Sequence, residues 1–168
     1  MYTGHAAFAT LVKGRRPRLP MALLVPVAYG PDWVDMLTHI VHRPNPELSH
    51  SIVSVAFCSV MVTLFVMPFL DSAVDALIVG GTYVSHWLLD CVTGLKPTWP
   101  GGPSVGMHFY THMYRDFVLE STIVVACWLV YRASLRDDVR NSLAAYAMPL
   151  GLIALQAAFT FVRAPSLT

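Results

Sequence analysis

Tyr83-Val84-Ser85-His86-Trp87-Leu88-Leu89-Asp90 closes a long apolar run that begins at Ala73. Residues four apart on a helix share a face, so His86 and Asp90 lie together. Two ionisable groups on an apolar helix are costly unless something compensates them. A hydrogen bond between them is one compensator. A divalent cation is another, and it needs further ligands delivered to the same place by the remaining segments.

Of the 168 residues, 55% are hydrophobic and only 12% are charged, against about 25% charged in ordinary soluble domains. With its long apolar runs, the chain reads as an integral membrane protein forming a single domain over residues 1–168. The net charge of +1 implies no nucleic-acid partner. Cys58, Cys91 and Cys127 lie in or beside apolar runs without CxxC spacing. They support neither a disulfide framework nor a cysteine-based zinc site, and read as small buried apolar residues. The N-terminus does not read as a cleavable signal peptide, because His5 interrupts it early and the basic cluster follows the apolar stretch.

Thr3 to Val12 and Leu19 to Tyr29 are each too short to span a bilayer. They flank Lys13-Gly14-Arg15-Arg16-Pro17-Arg18 and read as a re-entrant N-terminal helical hairpin with a basic tip. Gly30-Pro31 breaks the second segment, and Pro31 suits the first turn of a new helix carrying Asp32 and Asp35. Met36 to His50 is amphipathic and then loop-like. Ile52 to Leu70 is an uncharged span, Asp71-Ser72 a polar turn, and Ala73 to Val92 the next span. Thr93 to Asp116 is a polar, Gly/Pro-rich connection. Phe117 to Tyr131 is apolar but holds Glu120, Arg132 to Arg140 is a charged loop, and Leu143 to Val162 is a final uncharged span. The expected fold is all-α: a multi-pass helical membrane protein with four or five apolar helices.

Each crossing reverses sides. The Lys13–Arg18 turn, the Asp71 turn and the Arg132–Arg140 loop then share one side, with Lys13, Arg15, Arg16, Arg18, Arg132, Arg136 and Arg140. The other side has only Arg43, Lys96, Arg115 and Arg163. Cationic loops stay cytoplasmic, so the expected location is the cell (inner) membrane with the second side extracytoplasmic. That second side also holds His42, and it gathers His5, Asp32, Asp35, His50, His86, Asp90 and Glu120 at one membrane level.

Singly, these residues have ordinary explanations. Asp32 and Asp35 share a helical face and repel unless a cation lies between them, yet a helix start also favours Asp through its dipole. His5 and His50 suit an interface or a cap. Glu120 stands in an apolar segment, where Arg115, Ser121 or Thr122 are available partners. His39, His42 and the i,i+4 pair His108 and His112 suit either ligands or solvated residues. Jointly, mixed imidazole and carboxylate ligands suit Zn²⁺, Mn²⁺ or Fe²⁺. The candidates exceed one tetrahedral set, so one or two ions are expected. Two ions about 3.5–4 Å apart are the usual apparatus for hydrolysing phosphoesters through metal-activated water. Asp35 and Glu120 are then candidate bases, and Arg43 and Arg115 candidates to hold a phosphate. The expected partners are membrane lipid and a small-molecule or lipid substrate. The same ligands also suit a non-enzymatic metal-binding or ion-handling protein, or a structural membrane subunit whose His–Asp pairs lock helices. The uncharged spans 52–70 and 143–162 disfavour a continuous ion pathway.

Gly4-His5, Pro31-Asp32-Trp33-Val34-Asp35, His42-Arg43, Ser49-His50-Ser51 and Ser85-His86-Trp87-Leu88-Leu89-Asp90 with Thr93-Gly94 stand in a telling order. Over roughly residues 4–100 this resembles the YdjM-like family of inner-membrane metal-dependent hydrolases. Gly101-Gly102-Pro103 to Val105-Gly106-Met107, with Glu120 and Tyr131-Arg132, is similar to small bacterial membrane proteins related to that family. The family is distantly similar to zinc-dependent phospholipase C and P1-type nucleases. The resemblance implies a multi-pass membrane fold, a His/Asp site for a divalent metal, zinc foremost, and phosphoester or lipid-headgroup hydrolysis. It also implies His5, Asp32, Asp35, His50, His86 and Asp90 as ligands. There are two departures. Met36 stands where the family often has His, and the family's compact His-Arg-Gly-x-Thr-His-Ser is spread here over His42 to Ser51.

Overall fold

The computed structural model describes residues 3–41 and 46–162. His42 and Arg43, both singled out from the sequence, lie outside the described residues. The helices among the described residues are α1 (Gly4–Arg15), α2 (Met21–Ala28), α3 (Gly30–Val41), α4 (Pro46–His50), α5 (Ile52–Val66), α6 (Ala73–Thr93), α7 (Met113–Ala133), α8 (Asp137–Arg140) and α9 (Ala144–Ala157). A short antiparallel ribbon, β1 (Lys96–Pro97) and β2 (Ser104–Val105), sits between α6 and α7. The fold is all-α apart from this ribbon.

The bundle is built around α1. Gly4, Ala6, Ala7, Ala9 and Thr10 are small, so neighbouring backbones can approach closely. Helices α2, α6 and α7 all pack on α1, and Gly4, His5, Ala7, Ala9, Thr10 and Val12 are buried. Ala7 joins Val124 and Cys127 in one core cluster. Ala9 and Val12 join Leu19, Leu24, Ala28, Val66, Ala76 and Val79 in a second. A helix enclosed on all sides has no single apolar stripe. Its central position is therefore invisible in the pattern of the first segment.

The α1–α2 hairpin turns where the basic residues stand. Lys13 Nζ donates to Pro17 O at 2.6 Å and to Leu19 O at 3.0 Å, closing the turn. Arg16 lies 3.5 Å from Asp75 at the start of α6, and Gly14 rests against the backbone of Val130 and Tyr131 late in α7. Basic turn, start of α6 and end of α7 thus share one end of the bundle. The starts of α1 and α7 and the end of α6 form the other.

Helices α5 and α6 touch through small residues. Ser59 Oγ donates to Gly80 O at 2.8 Å. A Cβ on Gly80 would come within 2.0 Å of Thr63 Oγ1 and 3.0 Å of Ser59 O. Overpacking such a contact costs about 1–3 kcal/mol. Gly80→Leu is therefore expected to lower the thermal unfolding midpoint in detergent, and an unchanged midpoint would refute so close a contact.

Two helical stretches are long and apolar enough to cross a membrane, Ile52–Phe69 and Ala144–Val162. Only 17% of each is buried, so Phe57, Leu64, Phe65 and Leu150 face outward. Helices α6 and α7 have 21 residues each. They carry Asp75, His86 and Asp90 in one, and Arg115, Asp116 and Glu120 in the other.

The 93–116 connection holds more structure than its composition predicts. Besides the ribbon it contains a 3₁₀ turn, Phe109–Thr111. His108 and His112 flank that turn and are exposed, so their i,i+4 spacing does not place them on one helix face. Gly106 (φ +146°) is required where the chain returns over α6. A Cβ there would lie 1.9 Å from Gly94 O.

Candidate metal centre

Five side chains meet at the end of the bundle opposite the basic turn. His5 comes from α1, Asp32 from α3, His50 from α4, and His86 and Asp90 from α6. The breaks Gly30-Pro31 and Ser51 position two of these groups. The first starts α3 directly after α2, and Ser51 caps α5 by accepting from Ser54 N at 3.3 Å just after His50. A Cβ on Gly30 would sit 2.0 Å from the Tyr83 ring, so only glycine lets α3 begin this close to α6.

Asp90 joins much of the cluster. Its Oδ1 lies 3.2 Å from His5 Nε2, and its Oδ2 lies 3.4 Å from His86 Nε2 and 3.9 Å from His50 Nε2. Asp32 Oδ1 lies 3.2 Å from His50 Nε2 and 3.5 Å from His86 Nε2. The His5 and His86 rings stack with centroids 3.8 Å apart. All five side chains are buried except Asp32, whose side chain is 48% exposed and opens the cluster to the outside. Burial works against ionising Asp32, but a proton on His50 Nε2, hydrogen-bonded to it, and the neighbouring His86 and His5 outweigh burial. Its carboxyl is held below the ordinary range and is an anion at neutral pH.

The chemistry of the donors is decided one shell out. His86 Nδ1 faces Ala28 O at 2.9 Å. A carbonyl only accepts, so Nδ1 carries a proton and a neutral His86 has a bare lone pair on Nε2. His50 Nδ1 lies 2.7 Å from Ser49 Oγ, whose hydroxyl donates to Asp35 Oδ1 at 3.4 Å. Ser49 must then accept from His50, leaving the Nε2 of a neutral His50 bare as well. These two Nε2 atoms are 3.3 Å apart and both face carboxylate oxygens. Lone pairs at that spacing repel unless a proton or a metal cation lies between them. In addition, His5 Nδ1 is buried with no hydrogen-bond partner among the described residues. The residues thus fit a divalent cation, and the cluster can hold one.

Two overlapping triads have ligand atoms mutually within 4.8 Å: His5, Asp32 and His86, and His50, His86 and Asp90. Both use His86. With Nδ1 committed to Ala28 O, its single Nε2 lone pair can serve only one ion. Both triads therefore cannot be filled at once through His86.

Several sequence expectations change place. Asp35, expected as ligand or base, stands behind Ser49 and reaches the cluster through it, because α4 interposes that hydroxyl between α3 and His50. Glu120, the other expected base, is fully buried and accepts from Thr3 N at 3.1 Å. There it satisfies a free N–H at the start of α1, where the helix dipole favours a carboxylate. Arg115 is exposed on α7 beside Phe109, Tyr114 and Val118. His39 is exposed on α3.

Other contributors were not singled out from the sequence. Lys96 Nζ lies 2.6 Å from Asp90 Oδ2. Gln156 is fully buried, accepts from Thr3 Oγ1 at 3.3 Å and donates to Thr160 at 3.1 Å, tying α9 to the start of α1. Ser49 had a signal, since it precedes His50 in Ser-His-Ser. Lys96 had none, because only the ribbon brings it inward.

Outer-shell partners of this kind typically contribute 10–100-fold in metal affinity. Ser49→Ala is therefore expected to weaken metal binding about tenfold in a competitive chelator titration. Unchanged affinity would remove Ser49 and Asp35 from the site.

No known family model, curated protein or solved structure matches this chain. The geometry therefore carries the functional assignment.

Proposed function

We propose that this protein is a multi-pass membrane hydrolase of the YdjM-like kind, with a divalent metal, zinc foremost, at the His5/Asp32/His50/His86/Asp90 cluster. Phosphoesters, including lipid headgroups, are the proposed substrates. The observation that carries the proposal is the pair of Nε2 atoms of His50 and His86, 3.3 Å apart and both turned on Asp32 and Asp90. Helices α6 and α7 cross the bilayer with the two apolar spans. They have the length to do so, and their polar side chains His86, Asp90, Asp116 and Glu120 turn into the protein instead of toward lipid. The Arg16–Asp75 end carries the larger share of basic residues and is placed in the cytoplasm, leaving the cluster extracytoplasmic.

The chain's own residues do three things in this proposal. His50, His86 and Asp90 hold the ion, with Ala28 O and Ser49 fixing the imidazoles. Asp32, half-exposed, forms the mouth by which substrate and water arrive. The apolar faces around the mouth hold the protein at the depth of phospholipid headgroups. A bound divalent ion supplies Lewis acidity and lowers the pKa of water.

The test is a hydrolysis screen with purified, metal-loaded protein against phosphomonoesters, phosphodiesters and short-chain phospholipids. Turnover that disappears on chelation and returns with metal is expected. Stoichiometric metal without turnover on any of these would instead favour a non-enzymatic metal-binding protein.

A further inference from the structure

Lys96 is placed with more care than a surface lysine needs. It pairs with Val105 across the ribbon. The ribbon is closed by Thr98 N and Oγ1, which donate to Pro103 O at 3.0 and 2.8 Å. Gly101 N donates to Glu47 Oε2 at 3.0 Å, fastening the tip to the helix that carries His50. Met107 N donates to Cys91 O at 2.8 Å, fastening the far side to the helix that carries His86 and Asp90. The two ligand-bearing helices thus hold the ribbon jointly, and its only cation points inward. The Lys96 side chain is 20% exposed, with its ammonium 2.6 Å from Asp90 Oδ2. Of the two phosphate-binding candidates from the sequence, Arg115 lies exposed beside Phe109, Tyr114 and Val118, and Arg43 lies outside the described residues.

We propose that Lys96 is the substrate-binding cation of the centre, holding one oxygen of a phosphate group whose neighbouring oxygen faces the ion. The proposal rests on the metal-centre assignment above. Its physical basis is a competition for one oxygen. Asp90 Oδ2 is shared by Lys96, His86 and His50. A divalent cation drawn to His86 and His50 also claims that oxygen, so the ammonium loses much of its partner's charge. It stays at the edge of the site, tethered by the ribbon and one oxygen atom away from the ligand nitrogens. A tetrahedral oxyanion spans such a gap, whereas a neutral ester or amide brings no charge for the ammonium. An ammonium serves as a point charge for phosphate without the planar fork of arginine.

The test uses full-length protein in phospholipid-free detergent, loaded with Mn²⁺, and reads the ³¹P relaxation of added inorganic phosphate. Lys96→Met is expected to keep the wild-type metal stoichiometry and to weaken phosphate binding about 10- to 100-fold, the loss of one charge-assisted hydrogen bond. Lys96→Arg is expected to recover part of it. Glycerol 3-phosphate and dihexanoyl phosphatidic acid form two further arms. Tighter binding of the lipid assigns the phosphate to a headgroup, equal binding assigns it to a soluble ester, and sensitivity to Lys96→Met in either arm supports the proposal. Phosphate affinity unchanged in Lys96→Met overturns it. So does metal lost from both variants, which would make Lys96 part of the scaffold. Wild-type protein that binds Mn²⁺ but no phosphate overturns this inference alone, whereas wild-type protein that binds no metal overturns the centre as well.

Discussion

Purified His86→Ala protein is expected to contain no stoichiometric metal, while wild-type protein prepared beside it contains one ion per chain. His86 is fully buried, belongs to both ligand triads, and is held by Ala28 O so that only Nε2 faces the cluster. Removing a supporting group behind a ligand costs about 10–100-fold in affinity, and removing the ligand itself costs more. Elemental analysis reads the result directly. His39→Ala is the matched control, because His39 is exposed on α3 and outside the cluster. Equal metal in wild type and His86→Ala would sink the centre. Loss in His39→Ala as well would point to adventitious surface binding.

Chelation is expected to lower the thermal unfolding midpoint of the wild-type protein by about 5–10 °C. A ligand that binds only the folded state at one hundred times its Kd stabilises by about 2.7 kcal/mol. In a chain of this size each kcal/mol moves the midpoint by about 2–4 °C. The sign follows from the fold. The ligands come from α1, α3, α4 and α6, so the unfolded chain has no preformed site and only the folded state gains. Zinc, manganese and ferrous iron added back singly would rank the ions by the midpoint each restores. The same scan distinguishes the rival account in which His–Asp pairs merely lock helices together. That account requires identical midpoints with and without metal.

How much of this was legible in the sequence varies by residue. His86 and Asp90 could be paired from spacing alone, because a helix fixes the angle between residues four apart. That they share a level with His5, Asp32 and His50 followed from counting reversals between apolar segments. Glu120 shows the limit of that counting. Membrane level brought it to the right end of the bundle but could not say that Thr3 N would claim it. Asp35 shows another limit. Helical spacing placed it beside Asp32, yet Ser49 of a different helix stands between it and His50. The histidines at 108 and 112, open from the sequence to either a ligand or a solvated role, are exposed for a local reason. Their i,i+4 spacing has meaning only on a helix, and the chain there forms a 3₁₀ turn.

The sequence by itself determined the apolar character of the chain, the helical class and two uncharged stretches long enough to cross a membrane, and it offered the imidazoles and carboxylates from which the cluster is drawn. These follow from composition, segment length and helical periodicity, which are properties of neighbours along the chain. Only the tertiary structure decided that α1 is the buried centre, that two possible ligand triads share His86, and that Lys96 reaches Asp90. Those depend on which atoms meet across α1, α4, α6 and the ribbon. Such long-range contacts are set by packing between segments, and no spacing within any one segment encodes them.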